Sequence, residues 1–137
     1  MSGSELTLSQ LKVGTELPEL AIDITTSLVV GGAIASRDFT PVHHDKKAAQ
    51  AAGMPDVFMN ILTTNGLVSR YITDWAGPDA VIRNVSIRLG TPNTPGETMT
   101  MRGKVVELSD ETATVEVAGA NSWGDHVTGT VKLALPR

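Results

Sequence analysis

The chain has 137 residues, of which 41% are hydrophobic and 19% charged, and its formal net charge is −4 at pH 7. These values are typical of a single globular domain over residues 1–137 with a full hydrophobic core, and they exclude a disordered chain. The acidic balance and the lack of a run of Lys and Arg argue against a nucleic-acid partner. The absence of cysteine excludes disulfides and thiolate metal sites.

The start of the chain bears on location. No apolar run approaches the roughly 20 residues that a membrane-spanning helix needs. Residues 1–5, MSGSE, lack the basic and apolar regions of a signal peptide. We therefore expect a cytoplasmic protein. Residues 1–19 are predicted to form an N-terminal arm in which Leu8, Leu11 and Val13 cover an edge of the core.

A strand and a helix are predicted next. Residues 20–24 alternate apolar and polar side chains, which is typical of a short strand. Residues 28–36 are expected to be helical, with Thr26 or Ser27 as the N-cap. The pair Gly31-Gly32 weakens this helix, because each glycine costs about 1 kcal/mol relative to alanine.

Two further helices are predicted before the sheet. The first is capped by Asp45 and ends at Gly53. The second and longest covers residues 57–75, and Gly66 in its interior indicates close approach by the sheet backbone. Its apolar stripe at helical spacing consists of Phe58, Ile61, Leu62, Val68, Tyr71, Ile72 and Trp75.

The remainder of the chain reads as strands joined by turns, over residues 80–89, 98–108, 113–118 and 127–135. The order is therefore a strand, helices and then an antiparallel meander. One long helix wrapped by a single curved antiparallel sheet buries the apolar faces of both. This is the α+β hot-dog architecture. Its exposed sheet edge and helix flank lead us to expect pairing with a second copy or a relative.

Residues 37–45, RDFTPVHHD, concentrate the polar chemistry of the chain. Pro41 prevents a regular helix and biases Thr40 toward an extended conformation, so Asp38 and His43 are expected on a bent, stiff loop. One interpretation is a turn aspartate bonded to its own backbone and a surface histidine. The other is an acid/base pair that converges on one water and moves a proton across a double bond. Spacing alone leaves both open.

A family resemblance favours the second interpretation. Residues 38–43, DFTPVH, resemble the D-x-N-P-x-H signature of the MaoC-like, R-specific enoyl-CoA hydratases, which are hot-dog proteins. Residues 60–62, NIL, fall where that family has H-G-M. The resemblance covers nearly the whole chain, and the order of elements agrees.

Within that family, further runs are similar to the small subunit of the heteromeric hydratases of bacterial cholesterol side-chain degradation. They include NILT at residues 60–63, TDWAGP at 73–78 and GDHVT at 124–128. This implies hydration of a 17(20)-unsaturated C22 steroid acyl-CoA. It also implies a larger MaoC-like partner subunit in an α2β2 heterotetramer, and a thiolase-like aldolase that cleaves the product. No cofactor is implied, because coenzyme A is part of the substrate.

The resemblance also implies roles for individual residues. Asp38 and His43 hold the water that adds to the α,β-double bond, without any indication of which is the base and which the acid. The backbone N–H of Ile61 is the oxyanion donor. Ser69 supports the active-site loop from the pocket, unless it is simply an exposed residue of the long helix.

Two positions depart from the family pattern. Thr40 replaces an asparagine that fixes the loop, and its hydroxyl reaches less far. Asn60 and Ile61 replace His-Gly, which leaves less room beside the oxyanion donor. The altered shape is compatible with a bulky substrate or with a pocket completed by a different subunit.

Other polar residues have simpler interpretations. His43 and His44 point in different directions and lack a suitably spaced further ligand, so no metal site is predicted. Asp125 and His126 are expected to be structural. Three arginines are expected to be solvated rather than bound to CoA phosphates; they are Arg37, Arg83 and Arg88.

Two other functions stay open. A hot-dog thioesterase usually requires a carboxylate on or beside the long helix, and residues 57–73 contain none. A non-catalytic half that only shapes its partner's groove is the other alternative, against which the intact Asp38 and His43 argue.

Overall fold

The computed structural model describes residues 6–137. The first five residues, on which the expectation about a signal peptide rests, lie outside the described residues. The helices are α1 (Thr26–Ala35), α2 (Lys46–Ala51) and α3 (Ile61–Ala76), with 3-10 turns at Leu8–Gln10 and Pro41–His43. The strands are β1 (Leu20–Asp23), β2 (Val81–Leu89), β3 (Thr98–Leu108), β4 (Thr112–Asn121) and β5 (Gly124–Ala134).

The five strands form one antiparallel sheet in the order β1-β3-β4-β5-β2. Strands β3, β4 and β5 make the predicted meander, but β2 does not belong to it. It pairs with β5, Val85 lying opposite Val131. The prediction of consecutive pairing was wrong there, because residues 90–97 are not a hairpin turn. They pass around the β4–β5 turn, where Gly90 donates to the carbonyl of His126 at 2.7 Å.

Helix α3 packs on this sheet and forms the core with it. Its buried face includes Leu67, Val68 and Ile72, which recur at helical spacing. The facing strands bury every second residue, as Val115 and Val117 do in β4. The predicted α+β hot-dog arrangement is therefore confirmed. Among the described residues, no helix is long and apolar enough to cross a membrane.

Helix α3 begins at Ile61, four residues later than predicted. The side chain of Asn60 accepts the N–H of Thr63 at 3.2 Å and caps the helix. Residues 57–59 are apolar, and Val57 and Met59 are buried, so they extend the apolar pattern of the helix. Their backbone, however, is not helical. The prediction for Gly66 was also wrong, because a Cβ at this position would meet nothing within 4 Å.

Helix α1 is capped by Thr25, not by Thr26 or Ser27. The hydroxyl of Thr25 accepts the N–H of Leu28 at 3.0 Å. The helix ends where Asp38 N–H donates to the carbonyl of Ala33 at 2.9 Å, with the preceding residue in the left-handed region.

Of the remaining local predictions, some are confirmed and one is wrong. Asp45 caps α2 and Gly53, with φ +91°, ends it, so both predictions are confirmed. In the described part of the arm, Leu11 is buried, but Val13 is 66% exposed and does not cover the core. Its neighbour Gly14 bonds the edge of β3 at Val105, which turns the valine outward.

Candidate active site

The loop between α1 and α2 brings Asp38 and His43 together. Asp38 follows the C-terminal turn of α1, and His43 is the last residue of the Pro41–His43 turn. The Nε2 atom of His43 lies 3.5 Å from Oδ2 of Asp38, with side-chain exposures of 11% and 24% respectively. The two groups therefore face one another in a partly covered position that a small molecule can reach.

The orientation of the His43 ring is fixed by contacts with Phe58, on the side of the ring away from Asp38. Its Nδ1 atom lies 2.6 Å from the carbonyl oxygen of Phe58, and the two rings pack edge-to-face with centroids 4.9 Å apart. A carbonyl oxygen only accepts, so Nδ1 carries the hydrogen. In the neutral ring, Nε2 is then an unprotonated acceptor that faces Asp38.

The Asp38 carboxylate is held by donors on both oxygens. The hydroxyl of Thr40 donates to Oδ1 at 2.8 Å, and its N–H lies 3.3 Å from the same atom. The amide of Asn60 donates to Oδ2 at 3.1 Å. These side-chain hydrogen bonds, the one from Thr40 first and that from Asn60 second, lower the pKa of Asp38 below its usual 3.8. Asp38 is therefore a carboxylate at neutral pH.

Asn60 joins the two helices that border the site. Its Oδ1 accepts both the N–H of Thr63 at 3.2 Å and the hydroxyl of the same residue at 2.5 Å. Its Nδ2 donates to the hydroxyl oxygen of Ser36 at 2.9 Å as well as to Asp38. Asn60 thus caps α3, binds the end of α1 and positions the carboxylate. Ser36 and Thr63 were missed by sequence reasoning, because their role depends on how two helices meet.

The first backbone amide of α3 is next to Asn60 in the chain and so borders the same site. Ile61 is the first residue of this helix, and an N–H there has no carbonyl within the helix to bond. The positive end of the helix dipole adds to its preference for negative charge. Ser69, in contrast, is nine residues beyond Asn60, about 13 Å along the helix axis. Within the described residues no hydrogen bond joins it to Asp38 or His43.

A shallow groove of about 340 Å³ runs between α1 and α3. It begins at Ser36, beside Asn60, and small side chains keep it open. Its lining residues are Gly32, Ala35, Ser36, Leu62, Thr63, Gly66 and Leu67. A larger cavity of about 430 Å³ lies along β3 and β4, among Glu16, Arg102 and Glu116, and neither Asp38 nor His43 lines it. The groove between the helices is therefore the one relevant to the site.

The other polar residues lie elsewhere. His44 contacts the carbonyl of Phe39 at 3.1 Å, and no group of three or more potential ligands in residues 6–137 could hold a metal ion. His126 is buried at 2% exposure and bonds Thr64. Sequence reasoning gave His126 a structural role but did not link it to α3, because the two residues are distant in sequence.

Comparisons with known proteins agree with this architecture. The profile of the MaoC-like domain matches residues 10–125. The chain is 49% identical over 123 residues to the 3-oxo-4,17-pregnadiene-20-carboxyl-CoA hydratase beta subunit of Mycobacterium tuberculosis, covering 90% of this chain and 95% of that protein.

Solved structures give the same result. The ChsH1-ChsH2 complex from Mycobacterium tuberculosis includes a chain that superimposes with a TM-score of 0.89 at 48% identity, covering 90% of this chain and 98% of that one. The R-hydratase PhaJ1 from Pseudomonas aeruginosa shares the fold, with a TM-score of 0.88 at 21% identity over 97% of this chain and 87% of that one. The chain belongs to the MaoC-like domain family.

Proposed function

We propose that this protein is an enoyl-CoA hydratase subunit that adds water to the α,β-double bond of a steroid side-chain acyl-CoA. The observation that carries the proposal is the opposition of Asp38 Oδ2 and His43 Nε2 at 3.5 Å. With Nδ1 bonded to the Phe58 carbonyl, both facing atoms are acceptors when the ring is neutral. A water that bridges the two atoms from the open side can donate one hydrogen to each.

The low pKa of Asp38, caused by hydrogen bonds from Thr40 and Asn60, makes this carboxylate a weak proton acceptor. We therefore assign proton abstraction to Nε2 of His43 and the holding of the water to Asp38. The hydroxide formed bonds to the β-carbon, and the imidazolium returns the proton to the α-carbon. One water is consumed, and no separate cofactor is needed.

The oxyanion donor is the second part of the proposal. As water adds, negative charge accumulates on the thioester carbonyl oxygen of the substrate. The N–H of Ile61, in the first turn of α3 where helix amides have no intrahelical carbonyl to bond, is the donor we assign to that oxygen. Because a backbone group donates, the absence of glycine at this position does not prevent the reaction. We also propose Ser69, which is half-buried on α3, as a residue of the wider pocket, at a distance from Asp38 and His43.

The substrate is proposed from the relative that is 49% identical, whose name specifies a 3-oxo-4,17-pregnadiene-20-carboxyl-CoA. We infer a thioester of the same class for this chain, hydrated at the 17(20) bond. The groove between α1 and α3 supports a bulky apolar acyl group, since Gly32, Ala35 and Gly66 project almost nothing into it. We place this activity in the cytoplasm.

A partner subunit is part of the same proposal. The structurally similar chain comes from a two-component complex. Strand β2 is an edge of the sheet and exposes its two end residues, Val81 and Leu89, which suits association with a second hot-dog subunit. We propose a larger MaoC-like subunit in an α2β2 assembly, with a thiolase-like aldolase as the next enzyme.

The test replaces the two facing groups separately. Asp38→Asn and His43→Ala should each lower the rate of hydration by about 10²- to 10⁴-fold, the range expected for a positioned acid or base. The measurement is the decrease in absorbance of the conjugated thioester. His44→Ala is the matched control and should keep full activity, because the hydrogen bond of this exposed neighbouring histidine goes to the backbone carbonyl of Phe39.

Unchanged hydration by both dyad variants would reject the proposed site. Full activity of the larger subunit alone would instead make this chain a non-catalytic half. Release of free thiol without addition of water would indicate a thioesterase. A thioesterase would need a carboxylate of the long helix at the site, but the one carboxylate of α3, Asp74, pairs with Arg70 on the exposed surface.

A further inference from the structure

His126 on β5 is a buried histidine that the proposed reaction does not use. Its Nδ1 atom lies 2.7 Å from the carbonyl oxygen of Thr91, so Nδ1 carries the hydrogen. In the neutral ring Nε2 is therefore an acceptor. The hydroxyl of Thr64 lies 2.9 Å away and donates to it. Among the described residues, no charged side chain bonds to this histidine.

Thr64 closes the first turn of α3 and is fully buried. Its backbone N–H donates to the carbonyl oxygen of Asn60 at 3.2 Å. Its hydroxyl oxygen is 3.3 Å from the same carbonyl, but the single hydroxyl hydrogen cannot serve both acceptors. The shorter contact with His126 takes it and fixes the rotamer. A side chain of the sheet thus holds the residue that bonds to Asn60.

The chain on the other side of Asn60 is held as well. The N–H of Met59 donates to the carbonyl of Asn93 at 2.9 Å. Asn93 is itself fully buried and accepts a hydrogen bond from Asn121 at 2.9 Å. The backbone of Asn60 is therefore anchored on both sides to residues 90–97, on one side by Met59 and on the other through Thr64.

We propose that Thr64 and His126 are positioning residues of the active site, acting through the backbone of Asn60. The Asn60 amide reaches Oδ2 of Asp38 at 3.1 Å, on the same oxygen that faces His43. A small displacement of the helix start breaks that bond and lets the carboxylate turn away. The inference rests on the proposed function for its kinetic consequence only.

The matched pair Thr64→Val and Thr64→Ser tests it. Valine has the shape of threonine but removes the donor to His126, whereas serine keeps it. Thr73→Val is the control, because that hydroxyl on the same helix bonds only to the backbone. We expect Thr64→Val to lower kcat by about 10- to 100-fold, the scale of a misplaced catalytic group, with KM within about twofold. Thr64→Ser and Thr73→Val should retain kcat.

The titration of Asp38, followed by ¹³C NMR of its carboxyl group in the assembled protein, gives a readout that does not need turnover. Hydrogen bonds from Thr40 and then Asn60 lower the pKa of this group. If Thr64→Val loosens Asn60, the pKa of Asp38 rises. It stays at the wild-type value in Thr64→Ser and Thr73→Val. His126→Asn is a second variant, since its amide can still donate to Thr91 but does not reach Thr64.

The outcomes are distinguishable. A wild-type protein that does not hydrate enoyl-CoA thioesters rejects the proposed function, and the Asp38 titration still decides the positioning role. Thr64→Val or His126→Asn proteins with lowered melting temperature, but with wild-type kcat and an unmoved Asp38 titration, overturn the inference. Those two residues would then serve stability alone.

Discussion

At the scale of single residues, the geometry of the candidate site depends on side chains to which no proton transfer is assigned, above all Thr40 and Asn60. The placement of Asp38 and His43 on one bent loop was predictable from the sequence, because a proline between them limits where the loop can go. The contribution of Thr40 was not, since its hydroxyl binds the carboxylate itself rather than the backbone. The double role of Asn60 also required the structure, because it caps one helix and reaches the end of another.

Thr40 provides a pH test of the carboxylate. Its hydroxyl is the leading cause of the lowered pKa of Asp38, so Thr40→Val should raise that pKa toward its ordinary value. The ¹³C NMR titration profile of the Asp38 carboxyl group should therefore move to higher pH. Thr40→Ser keeps the hydroxyl and serves as the control. Superimposable profiles for the three proteins would contradict the assignment.

At the scale of elements, helix ends were the least predictable feature. The start of α3 was hidden because the apolar residues 57–59 continue the apolar pattern without being helical. Helix α1 begins two residues earlier than predicted, because its cap is Thr25 and not one of the two equally good caps that follow it. The predictions that Asp45 caps α2 and that Gly53 ends it were correct, since a side-chain cap and a glycine with positive φ can be recognised from the local sequence. Local chemistry therefore predicts an end only where no tertiary contact decides it.

Two glycines on facing helices should respond in opposite ways to alanine. A Cβ at Gly66 meets nothing within 4 Å, so Gly66→Ala should raise the free energy of unfolding by about 1 kcal/mol through helix propensity. A Cβ at Gly32 would overlap the side chain of Thr63, so Gly32→Ala should lower that free energy by about 1–3 kcal/mol. Urea denaturation measures both. Equal signs for the two changes would refute this account of the α1–α3 contact.

At the scale of the whole molecule, the position of β2 is the feature that sequence reasoning could not supply. The alternation of apolar residues identifies the strand, but its pairing with β5 depends on contacts distant in sequence. Because β2 and β3 lie apart in the sheet, residues 90–97 must pass around the β4–β5 turn. That route brings Thr91 and Asn93 beneath the start of α3. Strand order thus determines how the site is supported.

Global stability should depend on the protonation of His126. Burial lowers the pKa of this histidine below its usual 6.5. The unfolded chain then binds its proton at a higher pH than the folded chain does, so stability is complete above about pH 6.5 and falls as pH decreases. Urea midpoints at about pH 7.5 and 5.5 measure this loss. His126→Asn should show a smaller difference between the two pH values, and an equal difference would contradict the prediction.

The hydrogen bond between Thr64 and His126 spans 62 residues of sequence. During synthesis the loop that carries Asp38 and His43 leaves the ribosome long before its support exists. Thr64 cannot bond to His126 until β5 has been made, and Met59 cannot bond to Asn93 until that residue has followed. A nascent chain therefore carries Asp38 and His43 for some time before these long-range hydrogen bonds can form, and the candidate site is complete only when β5 is in place.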